Sequence, residues 1–268
     1  MVSEVLCSVT DRDKQVLRLL RWHRVLTTSQ VHALFFGDLN ATQHRMTRLY
    51  DLQLVERFRP LRVGRHGQYH YVLDYLGAYV VAAMEADDLD REIEVRWSTD
   101  QALAVAASPR LAHTVGVNDF WVALAVAARE DPEARLVGWF GERYCRARYG
   151  EVVRPDGMGT WEERGDRVHV CLEYDRGTEQ LSRLAAKAEG YQILERALAS
   201  PFWLLVVVPG PRREAGARAA LSASGLAVAT TTHAGAGRPA EAVWAPLGAD
   251  GTRVRLAELA GWPRPAAR

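Results

Sequence analysis

Apolar residues recur at helical spacing in three stretches near the N-terminus. Val16, Leu17, Leu19 and Leu20 lie on one face of a helix that Thr10 or Asp11 can cap, and Val31, Leu34 and Phe35 mark a short second helix opened by Thr28-Ser29. Gly37-Asp38 ends it. A third helix, capped by Asn40, spans about 41–54, with Met46, Leu49, Leu52 and Leu54 inward and Gln43, His44, Arg45, Thr47 and Arg48 outward. The period then changes to two: Val55–Arg59 and Gln68–Leu73, with Tyr69 and Tyr71 alternating, predict a hairpin turning at Pro60 or Gly64–Gly67.

A short helix over Asp74–Met84, an acidic stretch over Glu85–Glu94, and helices over Asp100–Ala107 and His113–Ala128 follow. Farther on, Leu136–Tyr149 reads as a strand with its edges, and Val152–Asp156 as a second strand end. Arg167–Asp175 is an apolar run ending in acids, and Thr178 caps a helix of some twenty residues. Phe202–Val208 has the composition of a buried strand, Glu214–Ser224 reads as helix, and Ala227–Thr232 and Ala242–Ala245 as short strands. The expected fold is α+β or α/β: an N-terminal winged helix-turn-helix (1–84), a helical connector (85–132), and an α/β domain (133–268) with helices on both sheet faces.

Composition narrows the function. The net charge of +1 hides a polarised chain: residues 1–80 hold eleven Arg+Lys against seven Asp+Glu, while residues 81–132 hold four against ten. A basic winged helix suits double-stranded DNA. Gln43, His44, Arg45 and Arg48 are placed to read the major groove, and Arg57, Arg59, Arg62 and Arg65 to lie along phosphates. Winged helices also serve as protein-interaction modules. Three cysteines at irregular spacing suggest neither a disulfide framework nor a zinc cluster, and fit a reducing cytoplasm. The apolar runs fall short of the roughly 18 residues that would place the chain in a membrane. The chain lacks a Walker-type glycine loop, so no nucleotide cofactor is expected. The apolar Asn118–Ala128 stretch is a candidate surface for a homodimer.

The chemistry concentrates between 142 and 191. The chain has 34 Lys+Arg, yet only Lys14 and Lys187 are lysines. Asp156, Glu173 and Asp175 are the candidate catalytic acids and ligands for Mg²⁺, a hard cation that takes carboxylate oxygens. Residues two apart on a strand share a face, which pairs Glu173 with Asp175. Lys187 could orient a water or steady developing phosphate charge. Tyr191, one turn on, could support the lysine or be core, and Glu142 is an additional acid. Singly, each has a bland reading: a turn former, a solvated strand end, a surface lysine.

Arg154-Pro-Asp-Gly, then Leu172-Glu-Tyr-Asp-Arg-Gly-Thr-Glu, then Lys187-x-x-x-Tyr191, with His113-Thr-Val-Gly-Val-Asn118-Asp119 before them, resembles the replication-relaxation family over roughly residues 10–210. More broadly, the order is similar to the PD-(D/E)xK nuclease superfamily, with the lysine moved from strand to helix. The resemblance implies an actinobacterial protein of plasmid or mobile-element replication and DNA relaxation, with a winged helix and a restriction-endonuclease-like domain. Two readings stay open: a Mg-dependent DNA-nicking endonuclease, or a non-catalytic DNA-binding accessory factor on an inactive nuclease-like scaffold.

Overall fold

The computed structural model describes residues 9–60, 67–89 and 99–265. The fold is mixed α+β, and the chain divides into two compact units, Met1–Asn118 and Asp119–Arg268. The division falls inside a helix that the sequence assigns to a connector.

In the first unit the order is α1 (Asp11–His23), β1 (Leu26–Thr27), α2 (Thr28–Phe35), α3 (Leu39–Asp51), β2 (Val55–Phe58), β3 (His70–Leu73), α4 (Tyr75–Leu89) and α5 (Thr99–Ala106). The three strands form an antiparallel sheet in the order β1-β3-β2. Both of the first two helices start with a capping box, Thr10 with Asp13 and Thr27 with Gln30. Asp38, not Asn40, caps α3 by accepting from the Ala41 amide at 2.8 Å. Val16, Leu17, Leu20, Leu26, Val31, Met46, Leu49 and Tyr71 are buried, as are Asp13, Thr27 and Gln30 of the two capping boxes.

Asp13 does more than cap. It is almost fully buried, and Arg45 of α3 clamps it through Nε at 2.7 Å and through Nη2. Burial pushes the Asp13 carboxyl up, but Arg45 and Thr10 outweigh it and hold the group below the usual carboxylate range. Asn118 anchors the end of this unit: its amide donates to Val25 O at 2.7 Å and His23 O at 3.3 Å, and its Oδ1 lies 3.2 Å from His23 Nδ1. Burial, only partly offset by Asn118, lowers His23 to about 4. The Asn-Asp motif is therefore structural at its first residue.

Helix α6 (Leu111–Glu130) runs across the division. It is the one helix among the described residues long and apolar enough to cross a membrane by length and composition. Phe120, Trp121, Val122 and Leu124 are, however, buried inside the protein. The apolar stripe expected to pair two copies is thus core.

The second unit continues with β4 (Ala134–Gly141), α7 (Glu142–Tyr149), β5 (Gly157–Glu163), β6 (Asp166–Tyr174), α8 (Leu181–Ala186), α9 (Ala188–Leu198), β7 (Trp203–Val208), α10 (Pro211–Leu221), β8 (Val228–Thr232), α11 (His233–Ala236), β9 (Ala245–Pro246) and a closing 3₁₀ turn (Ala257–Ala260). The six strands lie in sequence order, β4-β5-β6-β7-β8-β9. Only β6-β7 and β7-β8 are parallel, each joined by a helical crossover. Cys171, Leu204, Val206, Val208 and Val228 face a layer built by Tyr191, Leu194, Ala217 and Leu221. Their neighbours Val170, Leu172, Leu205 and Val207 point the other way and are also buried, so both faces are covered.

Three expectations change here. The segment 142–149 is helix rather than strand. Asp156 stands just before β5 instead of closing a strand, and β5-β6 is a hairpin that turns at Arg164-Gly165, both with positive φ (51° and 90°). The long helix expected after Thr178 is two helices, broken at Lys187.

Candidate active site

The second unit draws its site from four places in the chain: the residue before β5, the end of β6, the break between α8 and α9, and the start of α7. Asp156 is fixed from two sides. Its amide donates to Leu172 O at 2.9 Å, and its Oδ2 accepts from the Tyr174 amide at 2.8 Å. Gly157 follows because a Cβ there would run into the Trp139 indole. The hairpin thereby holds Asp156 beside Glu173, one step beyond the Gly157↔Leu172 pair that ends the ladder.

Glu173 is only 5% exposed. Lys187 Nζ donates to its Oε2 at 2.6 Å and Tyr191 Oη to its Oε1 at 2.5 Å. Lys187 is the C-cap of α8 and the N-cap of α9, and the Tyr191 amide still donates to Lys187 O at 3.1 Å. The one-turn spacing survives the break, which is why both side chains reach one carboxylate. Helix α9 also packs close to residues 152–153: a Cβ on Gly190 would lie 2.7 Å from Val152 O.

Burial raises the Glu173 carboxyl, the Asp156 charge adds to this, and Lys187 and Tyr191 only partly offset them, leaving it pushed up to about 7. Burial opposes the Lys187 ammonium, but Glu173 and then Asp156 outweigh it and hold the lysine above its ordinary value. The Lys187 side chain remains 37% exposed, so one end of the cluster meets solvent. Burial, then Glu173, pushes Tyr191 well above the usual phenol value, so it donates at neutral pH. A carboxylate oxygen of Glu142, the first residue of α7, lies within 4.8 Å of one of Asp156.

Asp156, Glu173, Lys187 and Glu142 thus come together. Asp175 is held elsewhere: its Oδ2 accepts from Arg213 Nε at 2.7 Å, its Oδ1 from the Gly177 amide at 2.6 Å. Its backbone oxygen meets His233 Nε2 at 2.8 Å, and the His233 ring stacks on Tyr174. Lying one alternate position beyond Glu173, it falls under α10, where Arg213 takes it. No sequence signal near Asp175 announced that partner, 38 residues away. His169 bonds Thr160 at 2.9 Å, and Cys171 is buried in the core.

Of the DNA-facing candidates, Gln43, His44, Arg48 and Arg59 are exposed. Arg45 is engaged by Asp13, as described. The Arg57 guanidinium lies 4.3 Å from the Tyr50 ring centre and 4.7 Å from that of Tyr69, and Arg59 stacks on Tyr69 at 3.9 Å. Arg62 and Arg65 lie outside the described residues.

Fold and cluster define an α+β protein whose second unit carries an acid–lysine cluster at the end of an interior strand of a mixed sheet. The family model described as replication-relaxation matches residues 17–201, and the chain belongs to that family. Membership points to a role in DNA replication or relaxation and implies interaction with DNA. No curated protein and no solved structure is significantly similar to the chain.

Proposed function

We propose that this protein binds plasmid or mobile-element DNA through a winged helix in its first unit and nicks it at the acid–lysine cluster of its second, with Mg²⁺. The observation that carries the reading is the convergence of Lys187 and Tyr191 on a buried Glu173 beside Asp156. A surface salt bridge has no need of so costly a setting, whereas perturbed acids concentrate at working sites. In the first unit, the order helix, strand, two helices, hairpin supports the winged helix, with α3 as the reading helix.

The donor set fits a hard cation. Asp156 and Glu142 offer carboxylate oxygens, and their separation under 4.8 Å suits two ligands of one ion. Bound there, Mg²⁺ would supply Lewis acidity toward a phosphodiester oxygen and a more acidic water. The chain does the rest. Asp156 is aimed by the Tyr174 amide. Tyr191 fixes Glu173 in one rotamer. The half-exposed Lys187 ammonium can meet a phosphate oxygen or hold a water in line.

Supercoiled plasmid incubated with the protein and Mg²⁺ should turn into open circles. Lys187→Ala and Asp156→Ala should each slow this by at least about 100-fold, the loss typical of removing one preorganised charge. Plasmid that is bound yet never nicked would overturn the catalytic half. It would favour an accessory factor, for which the internal satisfaction of both Glu173 oxygens already speaks.

A further inference from the structure

Helix α7 and the end of β4 form a face that the cluster alone does not use. Phe140 and Tyr144 stack on each other, 4.6 Å between ring centres at 29°, and yet stay 47% and 36% exposed. Large aromatic rings left in water on a well-packed unit call for an occupant. On the helix, residues four apart share a face. Tyr144 therefore stands in line with Arg148, and Glu142, which reaches toward Asp156, stands in line with Arg146. Cys145 is the buried side. Arg146, Arg148 and Arg154 are exposed, and Arg154 folds back over the helix end, its Nε donating to Gly150 O at 3.1 Å.

We propose that this face binds single-stranded DNA and leads it to the acid–lysine cluster. The inference rests on the reading of that cluster as a DNA-processing site and names its substrate as an unpaired strand. Guanidinium groups interleaved with a preformed aromatic step are the chemistry of single-strand binding: arginines follow the phosphates, and bases stack on the rings without regard to sequence. Duplex DNA keeps its bases stacked inside and would leave the Phe140–Tyr144 step unused. Glu142 and Tyr144 both belong to the first turn of α7, about half a turn apart, so a strand leaving the stacking platform rounds the head of the helix to reach the acids. A strand already melted, as at an origin or in negatively supercoiled DNA, would present such a segment.

The test is fluorescence anisotropy with the full chain in EDTA, using a labelled single-stranded oligothymidylate and a duplex of equal length. Tyr144→Ala and Phe140→Ala should each weaken single-strand binding about tenfold and leave duplex binding within about twofold, as expected for one lost base-stacking contact. Tyr144→Phe should retain the affinity, and Arg148→Ala should reduce the salt dependence by about one phosphate contact. Should Tyr144→Ala melt early, Arg148→Glu probes the same face and should also lose single-strand affinity. Unchanged single-strand binding in these variants overturns the proposal. So does a change of oligomeric state without a change in oligonucleotide affinity, which would assign the rings to a protein contact. Omitting divalent ions separates the two readings: a chain that nicks but ignores Tyr144→Ala refutes only this one, and a chain that binds through Tyr144 but never nicks refutes only the cleavage.

Discussion

Glu173 is a carboxylate that the fold has dried. Its folded value, about 7, stands above the value of an unfolded chain, so the native protein holds the extra proton between them. The resulting stability is fully present below the ordinary carboxylate range and is lost as pH rises through about 7, by an amount on the order of 3 kcal/mol. Glu173→Gln keeps acceptor and shape but cannot ionise. In metal-free buffer it should melt above the parent protein at pH 8, with the gap closing by pH 5; equal melting at both values would mean that the carboxylate is not desolvated. Tyr191→Phe removes a donor that favours the ionised form, so any pH–rate profile should move its acidic limb upward. Arg45→Ala should cost about 3 kcal/mol, because it strands a buried Asp13, and denaturant midpoints would show it. That makes Arg48→Ala the cleaner probe of DNA contact. Residue types were legible from the chain: a rare lysine among arginines and acids at odd spacing named Asp156, Glu173 and Lys187. The fate of Asp175 and Arg45 was not, since each was decided by a partner more than thirty residues away.

Among elements, the amphipathic helices and the apolar β7 were readable because burial on one face, or on both, leaves a period or a solid run. The hairpin strand β5 was not. Its sequence, Gly-Met-Gly-Thr-Trp-Glu-Glu, has glycines where a strand normally carries branched side chains. The structure gives the reason: the Trp139 indole lies across Gly157 and Gly159 and fills the space their side chains would take. Gly157→Ala should therefore cost about 1–3 kcal/mol through overpacking. Because Asp156 precedes it, the same change should lower nicking or Mg²⁺-dependent thermal stabilisation without touching a candidate ligand. The break at Lys187 was hidden for a different reason. Neither proline nor glycine marks the spot, and the tight approach of Gly190 to Val152 is a tertiary constraint.

At the scale of the molecule, a net charge of +1 says little, and the excess of basic residues over 1–80 says more. Duplex affinity should fall steeply with salt, and Arg48→Ala should reduce the slope of log K against log salt by about one, measured by titration at several ionic strengths. The match to the replication-relaxation family stops at residue 201, ahead of β7. The physical unit does not stop there. Beta strands 7 and 8 extend the pairing that begins at β6, and Arg264 reaches back to Glu195 on α9 and to Phe202 O at 2.9 Å while lying over the Trp203 ring. A chain cut at the end of the family match would leave the inner side of β6 as a bare edge, with Glu173 on it and nothing beneath α9. Such a fragment is expected to aggregate rather than report on the site. Anyone trimming this protein for assay or crystallisation should leave Arg264 in place.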